Sequence, residues 1–395
     1  MASSTEPAAK GPLSSLRVIE FAAIGPAPYA GMLLADLGAE VIRIERHDAR
    51  RADPGHRVLG RGRRSIALNL KDPAALEVAR RLVARSDALI EGFRPGVMER
   101  IGLGPQDCLA ANPRLVYGRV TGWGQTGPLA QAPGHDLNYI AITGLLDAIG
   151  TKESGPVAPL NLLGDFAGGG LLLAFGVLAA ALEARTSGRG QVVDAAMVDG
   201  ASSLASLIWG MRSGGMWPGR RGENLLDGGA HFYGVFECAD GRWITLGAIE
   251  PPFYAAMLQA LELDPARFAA QMDPSQWAAL RAEVAAAVKR RTRDEWTARL
   301  EGSDVCFAPV LDFDETRQHP HNIARGAFQS QQGLTFPSPA PRFSATPAAA
   351  GAVSGEPGAE GAQILRELGI DEGGIVQLAA SGALRLPKDG LPKGS

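Results

Sequence analysis

The chain has 395 residues, 46% of them hydrophobic and 21% charged, with a formal net charge of -3. That length can bury a large core in more than one domain, the composition is that of an ordinary globular protein, and the charge balance argues against a general nucleic-acid binder. Cys108, Cys238 and Cys306 are far apart, with no CxxC and no Cys/His cluster, so neither a zinc site nor a disulfide framework is indicated, and a reducing, cytoplasmic compartment is expected.

The opening "MASSTEPAAKGPLSS" has no apolar stretch of the signal-peptide kind, and the ending "LPKGS" is not a peroxisomal Ser-Lys-Leu. "LRVIEFA" (16–22) is a β-branched apolar run. A Gly/Pro loop follows, then the helical stretch "YAGMLLADLGA" and the strand-like "EVIRIE" (40–45). Strand, helix and strand in succession predict a parallel sheet. "RSIALNL" continues it as a strand, and "KDPAALEVARRLVARS" as a helix with Asp72 at the N-cap and Pro73 at the first helical position. "DALIEGF" and "RLVYGRVTGWG" are further strands, so residues 16–125 read as a doubly wound α/β half.

Residues 160–210 read as mostly helical. The uncharged run "FAGGGLLLAFGVLAAAL" (166–182) falls short of the roughly 20 residues of a membrane span. Asp165 and Glu183 bracket it, so it is expected to be a buried core helix. "QVVDAAMVDGASSLASLIWGM" continues the helical reading, and the Gly-rich 212–229 is a linker. "YGVFECADGRWITLGAIE" (233–250) is a hairpin turning at Ala239-Asp240-Gly241. Helices are expected at about 251–263 and 274–291, and a third begins with the capping box Thr292-Arg293-Asp294-Glu295. "VCFAPVLDF" (305–313) is a strand heading out of this α+β domain.

Several residues invite a functional reading. The loop "GPAPYAG" is not GxGxxG, because prolines stand at 26 and 28; it is a tight turn that faces some nucleotide other than NAD. In 43–71, Arg43, Arg46, Arg50, Arg51, Arg57, Arg61, Arg63, Arg64 and Lys71 outnumber Glu45, Asp48 and Asp53. Such a run is either a solvated face or an anion site whose guanidinium forks match phosphate. Arg94 ends a strand, where ligands bind in open α/β sheets. His135 and Asp136 sit together at the edge of an apolar run, where ionisable groups are costly unless solvated, paired or used. Asp165 precedes a helix and is explained by N-capping, but the three glycines that follow weaken a helix and suit a close approach to the backbone. Glu250 ends the hairpin before two prolines, where helix-start charge explains it equally well.

Taken together, "RVIEFAAIGPAPYAGMLLADLGAEVIRIER", "EGFRPGVMERIGL", "GHDLNY", "APLNLLGDFAGGGL", "RTSGRGQVVDAAMVDG", "NLLDGGAHFY" and "LGAIEPPFY" resemble the family III CoA-transferase (CaiB/BaiF) superfamily, over about residues 14 to 380. His135 and Glu250 direct the resemblance to its α-methylacyl-CoA racemase branch, since the transferases generally lack that histidine. The resemblance implies a large Rossmann-like domain built from N-terminal (1–211) and C-terminal (331–395) segments. A small α+β domain (230–330) follows the linker, and two chains interlock as a homodimer. It implies a CoA thioester substrate, no cofactor beyond that CoA, no metal, and neither nucleic acid nor membrane as partner. His135 and Asp165 become the acid–base pair supported by Asp136 and Glu250. Arg46, Ala67, Leu68, Asn69, Leu70 and Arg94 match CoA-binding positions, and Gly134, Leu137, Asn138 and Tyr139 line the thioester. The alternative activity is CoA transfer, with Asp165 as nucleophile. Two departures stand out: the segment after Arg46 lacks the Pro-Gly of many relatives, and His231 replaces a proline near the expected cleft.

Overall fold

The computed structural model describes residues 11–387; the residues at the extreme ends on which the leader and peroxisomal readings partly rest lie outside them. The described chain forms two compact units, 11–140 with 160–203 and 324–387, and 141–159 with 204–323.

The first unit is built on a seven-stranded sheet. Its strands are β1 (Arg17–Phe21), β2 (Glu40–Arg46), β3 (Arg64–Leu68), β4 (Ala88–Glu91), β5 (Val116–Thr121), Val192–Ala196 and Leu384–Arg385. The spatial order is Leu384–Arg385, β3, β2, β1, β4, β5, Val192–Ala196, and only Leu384–Arg385 runs antiparallel. The strand order reverses between β1 and β4, which creates a switch point at their C-terminal ends. β1, β4 and β5 are buried almost throughout, as expected of strands covered on both faces. Helix Pro73–Ala84 starts at the Asp72 cap as predicted, the side chain accepting from the N–H groups of Ala74 and Ala75. The helix α1 (Pro26–Asp36) begins three residues earlier than its apolar periodicity shows, because Pro26 is pre-set for the first helical position.

Two expectations for 160–210 are corrected. Val192–Ala196 is an edge strand on β5, not helix; its Val-Val start suits a pleated surface, and pairing with β5 decides the outcome. The long helix is one π-helical stretch, Leu162–Leu171, continued as α-helix over Leu172–Ser187. It is core on one face only: Leu173 and Val177 are fully buried, while Phe175 is 69% and Leu182 70% exposed. By length and composition alone this helix is apolar enough to cross a membrane.

In the second unit the hairpin strands Tyr233–Glu237 and Trp243–Gly247 turn at Gly241, which has a positive φ of 76°. Strand Phe307–Pro309 pairs with Trp243–Gly247 and so completes this sheet rather than leading out of it. Helices Pro251–Leu261, Pro274–Val288 and Arg293–Leu300 pack on it through Trp277, Trp296 and Phe232, and both arms of the Thr292/Glu295 capping box form. Residues 212–229, expected as a linker, are part of this unit, as are 141–159.

Candidate active site

A cleft of about 330 Å³ opens in the first unit at the switch point. Ile24, Gly25 and Pro26 after β1, Gly92 to Pro95 after β4, and Thr121 to Trp123 at the end of β5 form its walls. Gly134, His135, Tyr139, Asp165 and Met197 complete it. The fold therefore brings together Arg94, the segment carrying Gly134, His135 and Tyr139, and Asp165 from three stretches of sequence.

His135 is exposed at the start of helix Asp136–Ala141. Its N–H donates to the Asn138 side chain at 3.0 Å, and its carbonyl accepts from the N–H groups of Asn138 (2.8 Å) and Tyr139 (3.2 Å). The backbone is thus pinned while the imidazole is left to the cleft. Tyr139 is buried, with its hydroxyl donating to the Gly134 carbonyl and its ring meeting Trp123 edge-on at 4.9 Å. Gly122 has no side chain because the Tyr139 ring occupies that space.

Asp136 is buried, and one of its carboxylate oxygens accepts the N–H groups of both Gly164 and Asp165 at 2.7 Å. Its other oxygen is buried with no partner among the described residues. The capping role considered for Asp165 is therefore filled by Asp136 from a distant segment, and the Asp165 side chain is free of it. The Asp165 carboxylate is half-buried and accepts only a 3.3 Å bond from the Asn161 amide among the described residues. Burial pushes its pKa up; the Asn161 bond opposes this, the Asp136 charge adds to it, and the His135 charge opposes it. Gly25 lies against the same carboxylate: a methyl on it would sit 3.2 Å from Oδ2, and its φ of 73° favours glycine in any case.

The glycine run after Asp165 has a different reason from the one expected. A methyl on Gly168 would meet the Ala201 nitrogen at 2.8 Å, and one on Gly170 the Pro26 carbonyl oxygen at 2.6 Å. The glycines admit α1 and helix Met197–Leu204, not a ligand. Nor are the N–H groups of Gly164 and Asp165 free for an oxyanion, since Asp136 holds both.

The remaining expected residues lie elsewhere. Ala67 and Leu68 are buried in β3 and paired with Arg385 and Leu384, so only Asn69 and Leu70, half-buried beyond the strand end, face outward. Arg46 is exposed beside Asp48, 2.8 Å away, and Leu137 and Asn138 are exposed on their helix. Glu250 belongs to the second unit, exposed at the start of helix Pro251–Leu261 and making no capping bond. His231 is a correction: it lies in no cleft but in the aromatic core of that unit, 2.7 Å from the Tyr254 hydroxyl. Four of the nine basic residues of 43–71 are neither solvated face nor anion site. Arg43 and Arg63 pair with buried Glu20, Arg61 with Asp36, and Arg64 with Glu40 and Glu367. Asn161, which sequence reading passed over, stands one helical turn before Asp165, a spacing that places two side chains on one helix face.

Residues 13–359 match the family model CoA-transferase family III. The chain is 43% identical over 368 residues to "Alpha-methylacyl-CoA racemase" of Mus musculus, covering 93% of this chain and 96% of that protein. It is 42% identical over 373 residues to the protein of the same name in Homo sapiens, with the same coverage of 93% and 96%. A crystal structure of a CAIB/BAIF family protein from Brucella suis matches with a TM-score of 0.79 at 27% identity, covering 91% of this chain and 100% of that one. The cleft at the switch point, lined by His135 and Asp165, is therefore that of a chain belonging to CoA-transferase family III.

Proposed function

We propose that the protein is a 2-methylacyl-CoA racemase, inverting the carbon α to a thioester by transferring its proton between two faces. The observation that carries this reading is that His135 and Asp165 line one cleft, with Asp136 joining the backbone segments that bear them.

The thioester carbonyl acidifies the α-proton, and inversion needs one group to remove it and a second to return it on the opposite face. In one direction neutral His135 removes the proton and protonated Asp165 delivers one; in the other, ionised Asp165 removes it and the imidazolium delivers one. The half-buried Asp165, its pKa raised by burial, is suited to carry a proton nearer neutral pH than an ordinary aspartate. Each group contributes roughly 10²–10⁴ in rate. The enolate between the two steps is stabilised by hydrogen-bond donors.

The coenzyme follows the C-terminal edge of the sheet, from Arg94 after β4 past β1 to Arg46 and Asn69-Leu70 after β2 and β3. The acyl chain is apolar. In the interlocked homodimer that the family likeness suggests, Glu250 of the partner subunit orients or charge-balances His135. No cofactor beyond the substrate's CoA is called for, and the three free cysteines fit a cytoplasmic setting.

CoA transfer, with Asp165 attacking the thioester, is the second reading; the family name and the accessible Asp165 carboxylate support it, and His135 weighs against it. Incubating a single epimer of 2-methylacyl-CoA in D₂O without an acceptor acid separates the two. Deuterium at the α-carbon as the epimers equilibrate supports the racemase. No exchange, with CoA passing from succinyl-CoA to an added acid, supports the transferase.

A further inference from the structure

The end of β4 carries a set of buried charges that the proton-transfer chemistry does not use. Glu91, its last residue, is fully buried. One carboxylate oxygen accepts the Phe93 N–H at 2.7 Å, and the other accepts Arg119 Nε at 2.8 Å from the paired position of β5. The rest of the Arg119 guanidinium forks onto Glu99 at 2.7 and 3.2 Å, and Glu99 lies in the helix Val97–Ile101 just beyond the turn. Burial pushes the Glu91 pKa up, opposed by the Phe93 N–H and the Arg119 charge.

The turn Gly92 to Gly96 is thus fixed at its entry by Glu91 and at its exit by Glu99, through one arginine. A third bond, from the Gln131 amide to the Pro95 carbonyl at 3.3 Å, fixes its middle. There is no slack below it, since a methyl on Gly92 would lie 3.1 Å from the Ala23 methyl. Arg94 projects from this turn into the cleft and makes no ion pair with any described residue. A buried ion network of this kind seldom stabilises a fold more than apolar residues of the same volume would.

We propose that Glu91, Arg119 and Glu99 are positioning residues that aim Arg94 at the anionic coenzyme portion of the substrate. This rests on the reading of that substrate as a CoA thioester. The network acts on substrate affinity and not on the proton transfers, because it touches the Arg94 turn and neither His135 nor Asp165.

The test is titration calorimetry with free coenzyme A, joined to steady-state kinetics and a melting temperature. The proteins are wild type, Arg94→Ala, the double variant Glu91→Leu/Arg119→Leu, and the triple combination. The double variant is expected to melt within a few degrees of wild type, to bind CoA about tenfold more weakly, and to show a raised KM with kcat within about threefold. In the Arg94→Ala background the same two changes are expected to weaken CoA binding less than about twofold, because their effect passes through Arg94. A folded double variant that binds CoA like wild type overturns the proposal, as does an effect that persists in full without Arg94. Should the double variant not fold, Glu91→Gln is read the same way, with about threefold weaker binding expected and wild-type affinity overturning the proposal. A wild-type protein that does not bind CoA overturns the thioester reading itself, and the positioning role with it.

Discussion

The Asp136 carboxylate accepts the backbone N–H of Asp165 at 2.7 Å, so the residue next to His135 is bonded directly to the segment that carries the second proposed proton carrier. The same oxygen holds Gly164, and the Asp136 charge is one cause of the raised Asp165 pKa. Burial is the larger cause of that shift, and the Asp136 side chain adds to it while fixing the geometry of the Asp165 backbone.

Asp136→Asn separates the two roles. The amide oxygen can still accept both N–H groups, but the negative charge is gone, so the Asp165 pKa falls toward the ordinary carboxylate range. The limb of the activity–pH profile that reports Asp165 is expected to move to lower pH, with fold and melting temperature little changed. Asp136→Ala removes the acceptor as well; leaving two buried N–H groups unpaired costs about 1–3 kcal/mol of stability and lowers activity further. Profiles of the two variants measured side by side check this.

Asp165 itself opposes stability at neutral pH. Its folded-state pKa lies above the unfolded value of 3.8, so the unfolded chain gives up this proton first and stability falls as pH rises through that interval. Asp165→Asn is expected to raise the melting temperature at pH 7 while abolishing racemisation. The advantage should shrink as the pH approaches 3.8. Melting curves across that range are the measurement, and an equal or lower melting temperature at pH 7 contradicts the assignment.

His231 gives a pH dependence of the opposite sign. Burial pushes its pKa down to about 4, and Nδ1 is buried with no partner among the described residues. An unfolded histidine titrates near pH ~6.5. The unfolded chain binds the extra proton first, so the stability contribution is intact above that pH and is lost as the pH falls toward 4. His231→Phe is expected to flatten the acid side of the stability profile and leave kcat within about twofold, because His231 is no part of the cleft.

The glycines at 168 to 170 are packing residues. Gly168→Ala gains about 1 kcal/mol in helix propensity, but the new methyl meets the Ala201 nitrogen at 2.8 Å. Overpacking of this kind costs about 1–3 kcal/mol, so a net loss of stability is expected. Gly25→Ala presses instead on the Asp165 carboxylate, and about a hundredfold loss of activity with a smaller change in melting temperature is the expected contrast. Denaturant titration of both variants alongside their activities decides it.

Five of the six parallel strands were legible because strands covered on both faces are rich in apolar, β-branched residues, and the Asp72 cap and the Thr292 capping box because both are local. Val192–Ala196 was not legible as a strand, since pairing with β5 outweighs the alanines that read as helix. His135 stood out because ionisable groups at the edge of an apolar run need a reason, Arg94 because it ends a strand, and Asp165 because of the glycines that follow it. Asp136 stood out with His135, but its bonded partner did not, nor did the Arg119 support, because each bond spans a long stretch of chain: Asp136 to Gly164, and Arg119 to Glu91. The destination of the basic run was hidden for the same reason, as Arg64 finds Glu367 only after the chain has returned to the sheet. Glycines after an aspartate look alike whether a ligand or a helix approaches them.

The central claim is that His135 and Asp165 serve opposite faces of one carbon. Its most direct test is the initial rate of α-deuterium uptake from each separate epimer of 2-methylacyl-CoA in D₂O, for wild type, His135→Ala and Asp165→Asn. Wild type is expected to take up deuterium from both epimers. Each variant is expected to lose uptake most strongly from the epimer whose proton the missing group removes, so that the two variants fail on opposite epimers. Wild-type uptake from both epimers in either variant, or loss from the same epimer in both, contradicts it.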